Sequence, residues 1–335
     1  MFCDRSLPSL AFTPWQQLRT RIPLPIALLS LSCASALLAQ ASPSVRHILY
    51  TSQAAHGTED LRELDPATGV STLLIAGDAV SSRSLATRSP SGRRAAWVRE
   101  LQSHDELYVS DATGLHQRRI GTDLPAAILF PDWSPDGRYV LVSAGLTASH
   151  PGVRRVNVQT GRAETIRDDS SSYRCPSWAP DGKRFVVASY ARAHSALLVM
   201  NDRGTVLDTL VRSDSTYLDC PQWSPTGATI LFTVFHGDGR SGWERPAFHS
   251  NLAILSLASG KVTQLTHDSG LTNYGKWSRD GDWIVFQSDR HATPTQSEEG
   301  VAAMLQHLEI WIMKATGAGL RRLTDNDIFD AHPSW

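Results

Sequence analysis

An all-β ring built from one repeated unit is the fold this sequence predicts, and three observations predict it. The first is a recurring phrase. Trp133 opens Trp-Ser-Pro-Asp-Gly, Trp178 opens Trp-Ala-Pro-Asp-Gly, Trp223 opens Trp-Ser-Pro-Thr-Gly and Trp277 opens Trp-Ser-Arg-Asp-Gly. Trp335 closes a fifth phrase, and Arg88-Ser89-Pro90-Ser91-Gly92 is a copy without its Trp. The anchors at 88, 133, 178, 223, 277 and 335 are 45, 45, 45, 54 and 58 residues apart. A period in this range marks a repeat architecture in which each copy is one supersecondary unit. The second observation is a short run after each internal phrase, rich in Val, Ile, Phe and Tyr. The third is that the two ends of the chain each lack what the other has.

The runs are Ala95–Arg99, Tyr139–Ala144, Phe185–Ser189, Thr229–Val234 and Trp283–Ser288. Their length and β-branched or aromatic content predict strands. They are apolar on both faces, so both faces should be covered. A further strand then precedes a Thr-Gly turn or a close variant: Leu107–Ser110 before Asp111-Ala112-Thr113-Gly114, and Ile310–Met313 before Ala315-Thr316-Gly317. Another, such as Val262–Thr266 or Leu320–Thr324, leads to the next Trp phrase. Gly supplies the positive φ that such tight turns require, and Asp tolerates it. Four antiparallel strands in each repeat make one propeller blade.

The first strand-like run, His47–Ser52, has no Trp phrase before it, and the last phrase, Asp330–Trp335, has no run after it. Pairing the two completes a sixth blade and hides two sheet edges. The prediction is a six-bladed β-propeller of four-stranded antiparallel blades, closed by its N- and C-terminal strands.

Residues 1–41 read as a signal peptide: Arg5, Arg19 and Arg21 precede the apolar run 22–38, and Ala39-Gln40-Ala41 is a small-x-small cleavage site. The run holds Pro23 and Pro25 and is too short for a stable membrane span. The mature chain, 42–335, is then one periplasmic or secreted domain. The full chain holds 32 Lys and Arg against 33 Asp and Glu, and without Arg5, Arg19, Arg21 and Asp4 these become 29 and 32, a net of −3. No basic stripe stands out, which argues against a nucleic-acid partner. An oxidising compartment permits a Cys175–Cys220 disulfide; the alternative is two buried thiols packing as small apolar groups.

Glu309–Thr324 with Asp330–Trp335, and the strand end Phe286-Gln287-Ser288-Asp289-Arg290, resemble the repeat of the TolB-type six-bladed β-propeller family. The resemblance covers roughly residues 46–335 and leaves no room for the α/β domain that precedes the propeller in TolB. It implies the same ring and leaves the function open, since one fold hosts many functions.

The Pro-Asp-Gly turns should share one face of the ring. The opposite face should carry the channel mouth and both long insertions, Phe235–Ser250 and Arg290–His307, from adjacent blades. Long loops on a rigid scaffold are where function concentrates. Residues three to five before each Trp should reach the mouth: Phe130, Tyr173, Arg174, Asp219, Asn273, Tyr274, Asp330 and His332. The insertions add His236, Arg240, Trp243, His249, Arg290, His291 and His307. The binding set expected is Asp219, Tyr274, Asp330, His332, His236, Arg240, Trp243, Arg290 and His291. No cofactor is expected. A divalent cation is the alternative, with His236, His291 and His332 as ligands, because polygalacturonate-cleaving enzymes of similar fold use His-rich metal sites.

Catalytic signatures are absent from the sequence: no G-x-S-x-G elbow, no H-E-x-x-H and no C-x-x-C. Gly237-Asp238-Gly239-Arg240-Ser241-Gly242 satisfies G-x-G-x-x-G without the βαβ context that would let it cradle a pyrophosphate. The leading expectation is an exported, non-catalytic, monomeric propeller that binds a protein or peptide of the cell envelope on its looped face. The alternative is a polysaccharide- or small-molecule-active enzyme, of lyase or lactonase type, using the channel mouth. A bare structural repeat is a third reading.

Overall fold

The computed structural model describes residues 47–54, 57–145, 151–191, 194–237, 249–291, 307–326 and 328–335. The segment 1–41 expected to be a signal peptide, Arg240 and Trp243 lie outside the described residues.

Among the described residues, twenty-four strands form six four-stranded antiparallel sheets, one per repeat. Blade 1 holds β1 (Ile48–Gln53), β2 (Glu59–Leu64) and β3 (Ser71–Ile75). Blade 2 holds β4 (Ser81–Arg88), β5 (Arg94–Leu101), β6 (Asp105–Asp111) and β7 (Arg118–Ile120). Blade 3 holds β8 (Ala127–Trp133), β9 (Tyr139–Gly145), β10 (Gly152–Asn157) and β11 (Ala163–Arg167). Blade 4 holds β12 (Ser172–Trp178), β13 (Arg184–Ala191), β14 (His194–Asn201) and β15 (Val206–Ser213). Blade 5 holds β16 (Tyr217–Trp223), β17 (Thr229–His236), β18 (His249–Ser256) and β19 (Val262–Gln264). Blade 6 holds β20 (Thr272–Trp277), β21 (Trp283–Ser288), β22 (Glu309–Lys314) and β23 (Arg321–Arg322). The last strand, β24 (Asp330–Ser334), joins blade 1 beside β1.

That pairing is the closure expected from the two ends, with Ser52 opposite Asp330 and Thr51 opposite Ala331. The innermost strands touch in the order β4, β8, β12, β16, β20, β24 and back to β4, so the ring is complete. Every described element is a strand, a turn or a loop, and among the described residues no helix is long and apolar enough to cross a membrane.

The second strand of each blade explains the doubly apolar runs. Successive side chains of a strand point to opposite faces. Leu141 of β9 therefore packs with Phe185 and Val187 of blade 4, while Val140 and Val142 pack with Val98 and Leu107 of blade 2. In the same way Ile230 and Phe232 face blade 4, and Leu231 faces Ile284 and Phe286 of blade 6. Each blade is sandwiched, so neither face can be polar.

The Trp anchors sit between blades. Trp133, Trp178, Trp223 and Trp335 are buried, and Trp277 is half-buried. Trp133 Nε1 donates to the Thr87 carbonyl of blade 2 at 3.1 Å, and the Arg94 guanidinium lies 5.2 Å from its ring centroid. The turn after each anchor is closed as its residues dictate. The Gly137 N–H reaches the Ser134 carbonyl at 2.8 Å, with Gly137 at φ 67°.

Two outer strands are shorter than the sequence suggests. Val262–Thr266 yields a strand only to Gln264, and Leu320–Thr324 only Arg321–Arg322. In both places a threonine side chain takes over the ladder: Thr266 Oγ1 accepts from the Leu252 N–H and Thr324 Oγ1 from the Ile310 N–H, each at 2.9 Å.

Candidate functional site

The channel wall is made by one repeated backbone event. Leu85, Phe130, Cys175, Cys220, Tyr274 and His332 each stand three residues before an anchor, and each has φ between 44° and 54°. Left-handed backbone is uncommon for residues other than Gly. Here it recurs at the same position in all six blades. Each inner strand also slips register at this point, for example between Asp219 and Gln222 or between Asn273 and Lys276. The combination is a β-bulge, which bends a strand and re-aims a side chain. Pro131, Pro176, Pro221 and Pro333 come directly after the bulged residue in four blades, where the missing N–H costs no ladder bond.

Six side chains re-aimed at one axis meet at this level. Phe130 of blade 3 and Tyr274 of blade 6, on opposite sides of the ring, stack with centroids 5.6 Å apart. Tyr274 meets His332 edge-on at 5.2 Å. Cys175 and Cys220, from neighbouring blades on the other side of that aromatic bar, are joined as a disulfide with their Cα atoms 4.7 Å apart. Of the two alternatives left by the sequence, the bridge is the one formed. The bulge brings the two inner strands within bridging distance.

Asp219 precedes Cys220 and is buried beside it. Its Oδ1 accepts the Cys220 N–H at 2.8 Å and lies 3.7 Å from Cys175 Sγ, while its Oδ2 lies 3.7 Å from Arg174 Nε. The Arg174 guanidinium covers the Phe130 ring at 5.2 Å. Burial opposes its charge, but Asp219, Tyr274 and Tyr190 around it outweigh that and raise its pKa. Tyr190 titrates far above the usual phenol range, through burial and the Asp219 charge.

A second polar layer lies one residue before each anchor. Asp132 of blade 3 and Lys276 of blade 6 occupy opposite sides of the ring and interact electrostatically. Burial raises the Asp132 carboxyl to about 6 against the pull of Lys276, and burial lowers Lys276. This layer sits closer to each Trp than the positions expected to reach the mouth, three to five residues before it. Its signal is nevertheless in the sequence: with the repeats in register, an acid and a base share one column, three blades apart.

The remaining expected residues fall into separate places. Asp330 is fully buried at the blade 1 seam, where its Oδ2 accepts from Asn326 Nδ2 at 2.9 Å. Burial raises its carboxyl to about 6. His332 is pushed down to about 3 by burial and is neutral. His236 ends β17 opposite His249 of β18, and the two rings stack at 4.6 Å. Burial and His249 lower the pKa of His236. Arg290 is tied into blade 6, with Nη2 2.7 Å from Asp268 and its guanidinium 4.9 Å from the Trp311 ring centroid. Burial lowers the pKa of His291, helped by Arg322. The structure thus joins Asp219, Tyr274 and His332 at the channel and leaves His236, Arg290 and His291 on the looped side. Only one group of at least three potential metal-ligating atoms forms among the described residues. It is Cys175, Asp219 and Cys220, all buried and within 4.8 Å of one another.

The fold and its bulged inner strands define a six-bladed β-propeller with four-stranded blades and a packed axis. Residues 86–242 match the family described as TolB beta propeller domain. Among solved structures, TolB from Acinetobacter baumannii is similar with a TM-score of 0.63 and 18% identity, over 86% of this chain and 66% of that one. A putative TolB from Agrobacterium tumefaciens gives 0.62 and 17%, over 85% and 91%. A chain of a nidogen/laminin complex gives 0.62 and 9%, over 86% and 97%. No curated protein matches this sequence.

Proposed function

We propose that this chain is an exported, non-catalytic propeller that recognises a protein or peptide of the cell envelope on its looped face. The observation that carries this reading is the set of side chains packed together at the axis of the ring. Phe130, Tyr274 and Arg174 fill the axis where an enzyme of this shape would need a concave pocket. The strand ends that flank the two insertions, His236 and His249 of blade 5 and Ser288 and Glu309 of blade 6, lie on one side of adjacent blades. Aromatic and Arg residues, the types that dominate binding hot spots, lie in that sequence as Arg240 and Trp243. Export rests on the leader-like residues 1–41.

The pairing of His236 with His249 gives a clean test. Two directly opposed residues can be joined by a two-residue turn, so residues 237–248 are replaceable by Asn-Gly without disturbing the ladder. The shortened protein should melt like the parent and lose the envelope protein that the immobilised parent retains. Equal retention by both proteins would move recognition to another surface.

A further inference from the structure

We propose that Cys175, Cys220 and Asp219 form a site for a thiophilic divalent metal ion, zinc in type, that is filled when the disulfide is reduced. The proposal does not rest on recognition at the looped face.

The donor set is built rather than accidental. Two neighbouring repeats place a cysteine at the bulged position, and φ of 51° and 44° turns both toward the channel. Asp219 is held by the Cys220 N–H at 2.8 Å and backed by Arg174, the kind of outer support that orients a ligating carboxylate. The three donor atoms lie within 4.8 Å of one another, and Cys175 Sγ is 3.7 Å from Asp219 Oδ1. In a tetrahedral site with metal–sulfur bonds of about 2.3 Å and metal–oxygen bonds of about 2.1 Å, a sulfur and an oxygen ligand sit roughly 3.5 Å apart. The sulfur–carboxylate spacing already fits, and the two sulfurs separate once the bond between them is reduced.

Charge decides which state of the reduced pair is stable. Reduction by a dithiol transfers two electrons and two protons, giving two thiols here and a cyclic disulfide in the reductant. A divalent ion then displaces both protons. Two thiolates and one carboxylate carry three negative charges, and the metal with the Arg174 guanidinium carries three positive ones. The buried cluster is then neutral, whereas a bare dithiolate beside Asp219 would be strongly disfavoured. Thiolate donors select zinc, cadmium or cobalt(II) over magnesium, calcium or manganese. His332 stands beyond the Phe130–Tyr274 bar and takes no part.

The test uses the mature chain reduced with dithiothreitol, freed of reductant under argon and titrated with cobalt(II). The expected result is one equivalent bound with thiolate-to-cobalt charge-transfer absorption, about two protons released per ion, and displacement by zinc. The oxidised protein should show no such band. Cys175→Ser and Cys220→Ser should each lower affinity at least a hundredfold, and Asp219→Asn at least tenfold, with circular dichroism unchanged. Magnesium should not compete. A reduced, folded protein without the charge-transfer band would overturn the proposal. So would equal binding by the oxidised protein, or a ring that unfolds whenever both thiols are free.

Discussion

At the residue scale, the unusual feature is a set of ionisable groups displaced from their ordinary titration by burial in the ring. Asp330 shows how this reaches stability. Its folded pKa, about 6, lies above the ordinary carboxylate value of 3.8. The folded state therefore holds this proton more tightly than the unfolded chain does. The associated stability is fully present below about pH 4 and is lost as pH rises through 6. At pH 7 the ionised group costs the fold on the order of 3 kcal/mol at one pKa unit per 1.36 kcal/mol. Asp330→Asn keeps an oxygen to accept from Asn326 and removes the charge. Its stability relative to the parent should climb by about 2–3 kcal/mol between pH 4 and pH 7, as read from denaturant melts at each pH. A difference flat across that range would show Asp330 ionising freely in the folded ring. His332, neutral and lowered to about 3, works in the opposite direction, losing stability on acidification below its unfolded value of 6.5. The comparison with the parent cancels it.

At the element scale, β24 is the most consequential strand because it is both the inner strand of blade 1 and the closure of the ring. It binds β1 by backbone pairing and places Trp335 in a cluster with Ile48, Tyr50, Trp283 and Val285. Removing Ala331–Trp335 leaves β1 with an open edge and exposes the flanks of blades 1 and 6. The truncated protein should lose cooperative melting near the parent temperature, and unchanged melting would show that the ring does not depend on this closure. The same element displays what could be read from the sequence and what could not. Complementary deficits at His47–Ser52 and Asp330–Trp335 were visible without coordinates. The left-handed bulge at His332 was not, because nothing in one residue type announces it: Leu, Phe, Cys, Tyr and His all adopt it.

At the scale of the whole molecule, the Cys175–Cys220 bridge ties two blades across 45 residues of chain. A cross-link of that span removes loop-closure entropy from the unfolded chain worth about 4 kcal/mol in the chain-entropy treatment. Reduction should therefore destabilise the metal-free protein by about 2–4 kcal/mol in urea melts. A change below the scatter of the measurement would mean that the blade interfaces alone fix these strands in both states.

The ring was already decided in the order of the amino acids. A six-fold anchor, strands apolar on both faces and two incomplete ends suffice, because each repeat must bury both faces of its sheet and sheets in a row do so only by closing. The occupants of the axis were decided only by the folded chain. Phe130 stacks on Tyr274, and Asp132 feels the charge of Lys276, from blades on opposite sides of the ring. Asp219 turns toward the cysteines, while Arg290 is drawn aside into its own blade by Asp268 and Trp311. A repeat pattern records which column a residue occupies. It does not record the bulge that swings that column toward the axis, nor the partner waiting there three blades away.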